Sequence, residues 1–252
     1  MTKSIDAVLE TGCFKVKGWL SNKAKKTITD LTETKAAAIL QGDGEEKVLG
    51  VGWNSQEDVL TYKVKPMSRY SQTPIQLSKR QVLSNIARIY DPIGFASAFL
   101  IKAKIGLQEL WRRGVGWDDE LPMEIQNKWK NLFQEMLSMN GTSFSRCLTS
   151  PNAVGLPVLC VFSDASEDAF GTCAYARWHL SNGNYDVQFI AAKSRVAPLK
   201  RLTIPRLELQ GAVLASRLCK TIVEQCRFQF EKAVLFLDSK IVLAWIDRKS
   251  VV

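Results

Sequence analysis

Three carboxylates stand at places in the sequence where they could hold a divalent cation. Asp164 ends the apolar run Leu159–Ser163, and Asp238 ends a second apolar run, Ala233–Leu237. Glu208 lies in the opening turns of an amphipathic helical pattern between the two runs. If the runs are neighbouring parallel strands, both aspartates leave the sheet at one edge. Small residues on the helix would then let Glu208 approach them.

Such a cluster predicts a metal site, because three carboxylates in a small volume repel one another unless a hard cation binds them. Mg²⁺ prefers carboxylate and water oxygens, and Mn²⁺ accepts similar ligands. Two such ions about 3.5–4 Å apart can hold both the attacking water and the leaving oxygen of a phosphodiester. We therefore predict that Asp164, Glu208 and Asp238 form one site for such ions, Mg²⁺ or Mn²⁺. The simpler alternative makes each acid a surface residue at a strand or helix end.

The distribution of charge predicts an anionic partner, with nucleic acid as the first candidate. The net charge is +9, and its positive residues cluster between residues 61 and 113 and again between 193 and 206. Clustered cations favour phosphate contacts, although some of them can equally be solvated surface charges. The predicted nucleic-acid-binding residues are Lys79, Arg80, Arg88, Lys102, Lys104, Lys193, Arg195, Lys200, Arg201 and Arg206.

The front of the chain has the pattern of a mixed α/β piece. Within residues 1–65, apolar spacing predicts helices near 5–11 and 27–40. Strands over 47–53 and 58–64 are predicted to form a hairpin. Because this piece begins without an obvious first element, we expect it to be the end of a larger domain.

The rest of the chain predicts a helical part followed by a sheet. Residues 66–78 have the composition of a polar linker, and helical periodicity over 79–146 predicts a three-helix bundle. Residues 147–157 predict a second linker. Residues 158–252 predict the order β-β-β-α-β-α, in which the crossover helix over 205–227 makes the fourth strand parallel to the first. The fold class is therefore α/β combined with an α part, in several pieces.

Cysteine and histidine usage excludes some kinds of site. The six cysteines have no Cys-x-x-Cys spacing, and His179 is the single histidine of the chain. These counts argue against a disulfide framework and a zinc site, and they favour an intracellular compartment. No apolar stretch is long enough to span a bilayer, so no membrane partner is predicted.

The residues around the three acids resemble the first three active-site motifs of ribonuclease H. The motifs are Phe162–Ser166, Thr203–Leu209 and Leu235–Ser239. The resemblance implies that the three acids hold metal ions for cutting the RNA strand of an RNA–DNA hybrid. That family has a fourth site residue, an Asp or a His, on a later helix. Because the chain ends before such a helix, we expect a truncated domain whose activity is weak or absent.

Further motifs resemble the BEL/Pao retrotransposon polyprotein between its reverse transcriptase and its ribonuclease H. Those in the helical part are Lys79–Ser84, Tyr90–Phe95, Leu110–Arg113, Gly116–Asp118 and Leu121–Pro122. Phe14–Asn22 and Lys47–Asn54 resemble the end of the polymerase palm. The resemblance implies a palm end over 1–65, a helical thumb or connection over 79–146, and a ribonuclease H-like mixed sheet over 158–252. The polymerase motif Tyr-x-Asp-Asp is absent from the sequence, so no polymerase site is expected.

The resemblance implies a polyprotein fragment that binds RNA–DNA hybrid in a cytoplasmic particle or the nucleus. A polymerase core would lie upstream and an integrase downstream. One alternative is a catalytically silent nucleic-acid-binding module. Another is an aspartic peptidase, because this family region also carries a Pao peptidase name. That chemistry needs two Asp-Thr/Ser-Gly turns, and the turns at Asp164 and Asp238 lack the glycine.

A third alternative is one lobe of an actin-like ATPase, whose first phosphate loop also follows a strand with Asp-x-Gly/Ser. The missing second lobe and the basic charge argue against it. The sequence leaves the oligomeric state open.

Overall fold

The computed structural model describes residues 2–15, 45–48, 51–54, 56–61, 64 and 77–247. The helix predicted over 27–40 and most of the linker predicted over 66–78 lie outside these ranges. Within the ranges, the chain has six helices and two four-stranded sheets. Two compact units are formed, one by Met1–Lys63 with Gly141–Cys147 and one by Val64–Asn140 with Leu148–Val252. Among the helices described, none is long and apolar enough to cross a membrane.

The first unit contains one helix and an antiparallel sheet. Helix α1 covers Thr2–Thr11, close to its predicted position. The sheet has the order β1-β2-β3-β4, with strands Glu45–Val48, Val51–Asn54, Val59–Thr61 and Ser143–Ser145. The predicted hairpin is present as β2 and β3. The single strand predicted over 47–53 is wrong, because β1 and β2 are separate strands that pair antiparallel with each other.

Asp58 ties the third and fourth strands of this sheet together. Its carboxylate accepts a hydrogen bond from the indole of Trp53 at 3.0 Å and pairs with the guanidinium of Arg146. Arg146 follows β4, which lies at the end of the stretch 79–146 that was predicted to be helical, so that prediction is wrong for residues 143–145. The segment gave no strand signal in the sequence because its pairing partner lies more than 80 residues earlier in the chain.

The second unit begins with three helices that share one apolar core. They are α2 (Lys79–Ile86), α3 (Ser97–Arg112) and α4 (Met123–Leu137). Helix α2 begins at Ser78, whose side chain and that of Gln81 form a capping box. Leu110 and Trp129 are among the buried residues between the helices. The structure therefore confirms the three helices predicted by the apolar spacing.

A four-stranded mixed sheet and two helices complete the unit. The elements are β5 (Ala153–Ala165), β6 (Ala169–Leu180), β7 (Tyr185–Val196), α5 (Ile204–Gln225), β8 (Lys232–Phe236) and α6 (Lys240–Ile246). The sheet order is β7-β6-β5-β8, in which β8 is parallel to β5 and the other pairs are antiparallel. The predicted order of strands and helices is confirmed. Strand β5 nevertheless starts at Ala153, inside the second predicted linker.

Helix α5 covers one face of this sheet. Leu159 and Val161 of β5 are fully buried against Ala215 and Leu218 of the helix. Burial of a side chain such as leucine or valine contributes about 1.5–3 kcal/mol. At Gly211 the helix lies close to β5, because a Cβ atom there would lie 3.4 Å from the backbone oxygen of Asp164. The helix therefore lies directly against the end of the strand that carries the first predicted acid.

The loop before α3 docks on the edge strand of the sheet. The carbonyl of Ile93 accepts a hydrogen bond of 2.7 Å from the backbone N–H of Ala192 in β7. Gly94 has φ +80°, and a Cβ atom there would lie 1.9 Å from the carbonyl oxygen of Ala192. The ring of Phe95 meets the ring of Phe189 edge-on at 5.7 Å. We call residues 93–95 the β7 latch, because they join the helices to the sheet.

Replacement of Gly94 by alanine tests the β7 latch. We expect Gly94→Ala to lower the free energy of unfolding by about 2–4 kcal/mol, because alanine is strained at positive φ and its Cβ would overlap the Ala192 carbonyl. Gly183, with φ +82° and open space around it, is the matched control. Gly183→Ala should cost only about 1 kcal/mol. Equal losses in urea unfolding would contradict the close contact.

Candidate functional site

The three predicted acids meet at one end of the mixed sheet. Phe162 and Phe236 are partners in the parallel pairing of β5 with β8. Asp164 and Asp238 each follow their phenylalanine by two residues, so they leave the two strands side by side. Glu208 reaches them from α5, and one carboxylate oxygen from each acid lies within 4.8 Å of the others. The predicted convergence is therefore present in the structure.

Local signals place each acid at the end of its element. Asp164 is the second-to-last residue of β5, and its Oδ1 accepts a hydrogen bond of 2.7 Å from the N–H of Ala165. Asp238 lies between β8 and α6, whose N-cap is Ser239. Helix α5 begins after Thr203 with a proline in its first turn, which places Glu208 about one turn into the helix.

The electrostatics of the cluster are unfavourable without a cation. Glu208 is only 7% exposed, whereas Asp164 and Asp238 are exposed. Burial raises the pKa of Glu208, and the negative charges of Asp238 and Asp164 raise that pKa further. Its Oε2 atom is buried without a hydrogen-bond partner. A hard divalent cation would offset both the burial of the Glu208 charge and its repulsion by the two aspartates. The three carboxylates therefore fit Mg²⁺ or Mn²⁺.

A cavity of about 650 Å³ opens beside the acids. Asp164 and Asp238 line it together with the stacked rings of Phe162 and Phe236, whose centroids are 4.6 Å apart. The two rings lie on the sheet face opposite α5, because Phe162 alternates along β5 with Val161, which packs on that helix, and Phe236 is the partner of Phe162 on β8. Ile101 and other residues at the start of α3 complete the wall. Sequence reasoning missed this contribution, since Ile101 lies more than 60 residues before the first acid.

Half of the predicted basic residues lie on the elements that lead to the acids. Lys193 and Arg195 lie on β7, Lys200 and Arg201 lie in the loop before α5, and Arg206 lies two residues before Glu208. All five are exposed. In the described part of the chain, none of them forms an ion pair, so their charges remain available to an anionic ligand.

The basic residues predicted on the helices are less uniform. Arg88 and Lys104 are exposed. Arg80 pairs with Asp118 at 2.7 Å, and Lys102 pairs with Glu135 at 3.0 Å, both at exposed positions.

Lys79 is buried, with 3% of its surface exposed. Its ammonium group donates to the carbonyl of Val115 and lies 3.8 Å from the ring centroid of Trp111. A cation satisfied in this way stabilises the bundle and is not free to contact phosphate. We therefore leave Lys79 out of the proposed nucleic-acid surface.

Comparisons with known proteins give a family match and similarities to solved structures. A family model of the Pao retrotransposon-like RNaseH-like domain matches residues 78–239, more than half of the chain. No curated protein shows a significant match. A structure of the foamy viral protease-reverse transcriptase in complex with dsDNA is 14% identical over 81% of this chain and 39% of that chain, with a TM-score of 0.45.

A second structure, of the foamy viral protease-reverse transcriptase dRH in complex with dsDNA, is also 14% identical. It covers 80% of this chain and 32% of that chain, with a TM-score of 0.40. The chain therefore spans only about a third to two fifths of the length of these two viral chains.

Neutralising Glu208 tests the electrostatics of the site. Because its folded pKa is raised, the ionised carboxylate destabilises the fold above that pKa, and the penalty disappears as pH falls below the unfolded value of about 4.3. Without divalent cations at pH 7.5, Glu208→Gln should therefore raise Tm by about 2–4 °C. The gain should vanish near pH 4.

The exposed acid Glu167 supplies the control for that measurement. Glu167→Gln should leave Tm within about 1 °C of the parent at both pH values. A pH-independent Tm difference for the Glu208 variant would show that its carboxylate carries no charge penalty in the folded state.

Proposed function

The chain belongs to the Pao retrotransposon-like RNaseH-like domain family, and from that premise we propose that it hydrolyses the RNA strand of RNA–DNA hybrids with divalent cations. Membership confirms the resemblance to Pao retrotransposons found in the sequence. The observation that carries the proposal is the meeting of Asp164, Glu208 and Asp238 within 4.8 Å. The proposed cofactors are two Mg²⁺ or Mn²⁺ ions, which would supply Lewis acidity and an activated water at a phosphodiester.

The three side chains divide the work of holding such ions. Asp164 and Asp238 are exposed and line the cavity, so their oxygens face the side from which a substrate phosphate would arrive. Glu208 closes the other side of the cluster from a buried position on α5. Because the aspartates follow paired strands and the glutamate lies on a packed helix, the carboxylates are held in place before any ion binds.

The exposed cations around the site provide a path for the substrate backbone. Lys193, Arg195, Lys200, Arg201 and Arg206 would contact phosphates of the hybrid, which gives affinity without base specificity. On the helices, Arg88 and Lys104 are further candidates. Arg80 and Lys102 would first have to leave exposed ion pairs, which cost little to break because solvent screens them.

A catalytically silent hybrid-binding module is the second candidate function. In the described part of the chain the metal-binding group comprises three acids, whereas the ribonuclease H family uses a fourth. Binding of the hybrid depends on the exposed cations, so it would not require a complete set of acids.

The setting of the activity is also proposed from family membership. We infer that the chain acts within a retrotransposon polyprotein, with a polymerase core before it and an integrase after it, in a cytoplasmic particle or the nucleus. The assignments of residues 1–65 to a palm end and of 79–146 to a thumb or connection belong to the same proposal.

A cleavage assay tests the hydrolytic function. The full chain is incubated with an RNA–DNA hybrid labelled on the RNA strand, in Mg²⁺ or Mn²⁺. We expect cleavage that EDTA abolishes and that Asp164→Asn reduces at least about 100-fold, because a ligand of the reacting ions is lost. Glu167→Gln should cleave like the parent chain. Hybrid binding without cleavage would support the silent module, and neither binding nor cleavage would refute both functions.

The basic path is tested by the salt dependence of hybrid binding. Arg195→Ala combined with Arg206→Ala should weaken binding and reduce the slope of log K against log salt by about 2, because two phosphate contacts are lost. Lys128 and Lys220 pair with acids on their own helices and serve as the control. Lys128→Ala with Lys220→Ala should leave the slope unchanged. An equal change in both double variants would mean that only net charge matters.

A further inference from the structure

Three buried polar atoms without partners lie together beneath the acidic cluster. In the described part of the chain, the fully buried side-chain atoms that lack a hydrogen-bond partner include Ser163 Oγ, Thr172 Oγ1 and Glu208 Oε2. The three residues are between 5% and 8% exposed. Buried polar groups are normally hydrogen-bonded, because leaving one unpaired costs the free energy of its lost hydration. Three such atoms at one place therefore point to a shared role.

Strand pairing and helix packing bring the three atoms to one place. Ser163 and Thr172 are direct partners across β5 and β6, so their side chains share a face of the sheet. Gly211 of α5 lies over Ser163, where a Cβ atom would be 3.7 Å from the serine Oγ. Glu208 precedes Gly211 by three residues and lies on the same face of the helix. Its carboxylate therefore enters the space above the two hydroxyls.

The polar pair interrupts an otherwise apolar face. The neighbouring inward positions are Val161 on β5 and Ala174 on β6, which are partners across the two strands and are both fully buried against α5. Hydroxyls replace apolar groups on this face only where the strands reach Glu208. Packing alone would be satisfied by valine and alanine at these two positions, so packing does not explain the hydroxyls.

We propose that Ser163 and Thr172 are positioning residues for Glu208. Their hydroxyls donate to its buried oxygen through one ordered water and keep the carboxylate turned toward Asp164 and Asp238. A hydroxyl can rotate to donate one hydrogen bond, and a water between the three atoms would have three polar partners, within the two to four that buried waters have. Partners of this kind orient metal-binding carboxylates and change metal affinity when removed. The inference rests on the proposed metal-dependent function.

Metal affinity is the first measurement. Ser163→Ala and Thr172→Val each remove one hydroxyl and should raise the Kd for Mn²⁺, measured by calorimetry, about 10–100-fold. The conservative variant Thr172→Ser keeps the hydroxyl and should bind Mn²⁺ like the parent. Ser194→Ala is the matched control, because Ser194 lines the cavity on β7 without joining the buried group. An unchanged Kd in both hydroxyl-deletion variants would overturn the proposal.

Coupling between the residues without metal is the second measurement. We expect Ser163→Ala and Glu208→Met to change Tm non-additively in metal-free buffer, because each removes one side of the same contact: the serine loses its hydroxyl, and methionine keeps the length of the glutamate side chain without its oxygens. Additive changes would show that Ser163 does not touch Glu208 and would overturn the proposal even if Mn²⁺ binds. Non-additive changes in a chain that binds no Mn²⁺ would retain the contact and refute the proposed metal-dependent function instead.

Discussion

The parallel pairing of β5 with β8 is the constraint on which the site depends. It places Phe162 beside Phe236, and therefore Asp164 beside Asp238 two residues later. A shift of one residue would turn one aspartate to the opposite face of the sheet, because side chains alternate along a strand. The pairing is possible because α5 crosses between the two strands and packs on the sheet through Gly211. The same crossover delivers Glu208.

The site is an electrostatically unfavourable part of a stable unit. A buried glutamate beside two aspartates disfavours folding without a cation, as the raised pKa of Glu208 indicates. The buried apolar contacts between α5 and the sheet favour folding and offset this electrostatic cost. Binding of a cation would then stabilise the folded chain, so metal affinity and stability are linked.

The helices before the sheet belong to the same compact unit as the acids. The β7 latch joins them through backbone contacts, and α3 forms part of the cavity wall. The family match begins at residue 78 and includes these helices together with the sheet. A protein cut between the helices and the sheet would therefore lose the residues of α3 that line the cavity of the candidate site.

The sequence by itself determined the order of strands and helices in the second unit and the identity of the three acids. Those features depend on local periodicity and on the residues at the ends of strands and helices, and both can be read from residues that are close together in the sequence. Only the tertiary structure showed strand β4, the early start of β5, the burial of Lys79 and the unpaired hydroxyls of Ser163 and Thr172. Each of these features depends on contacts with residues that are distant in the chain. The local sequence does not indicate which distant residues will become neighbours in the fold.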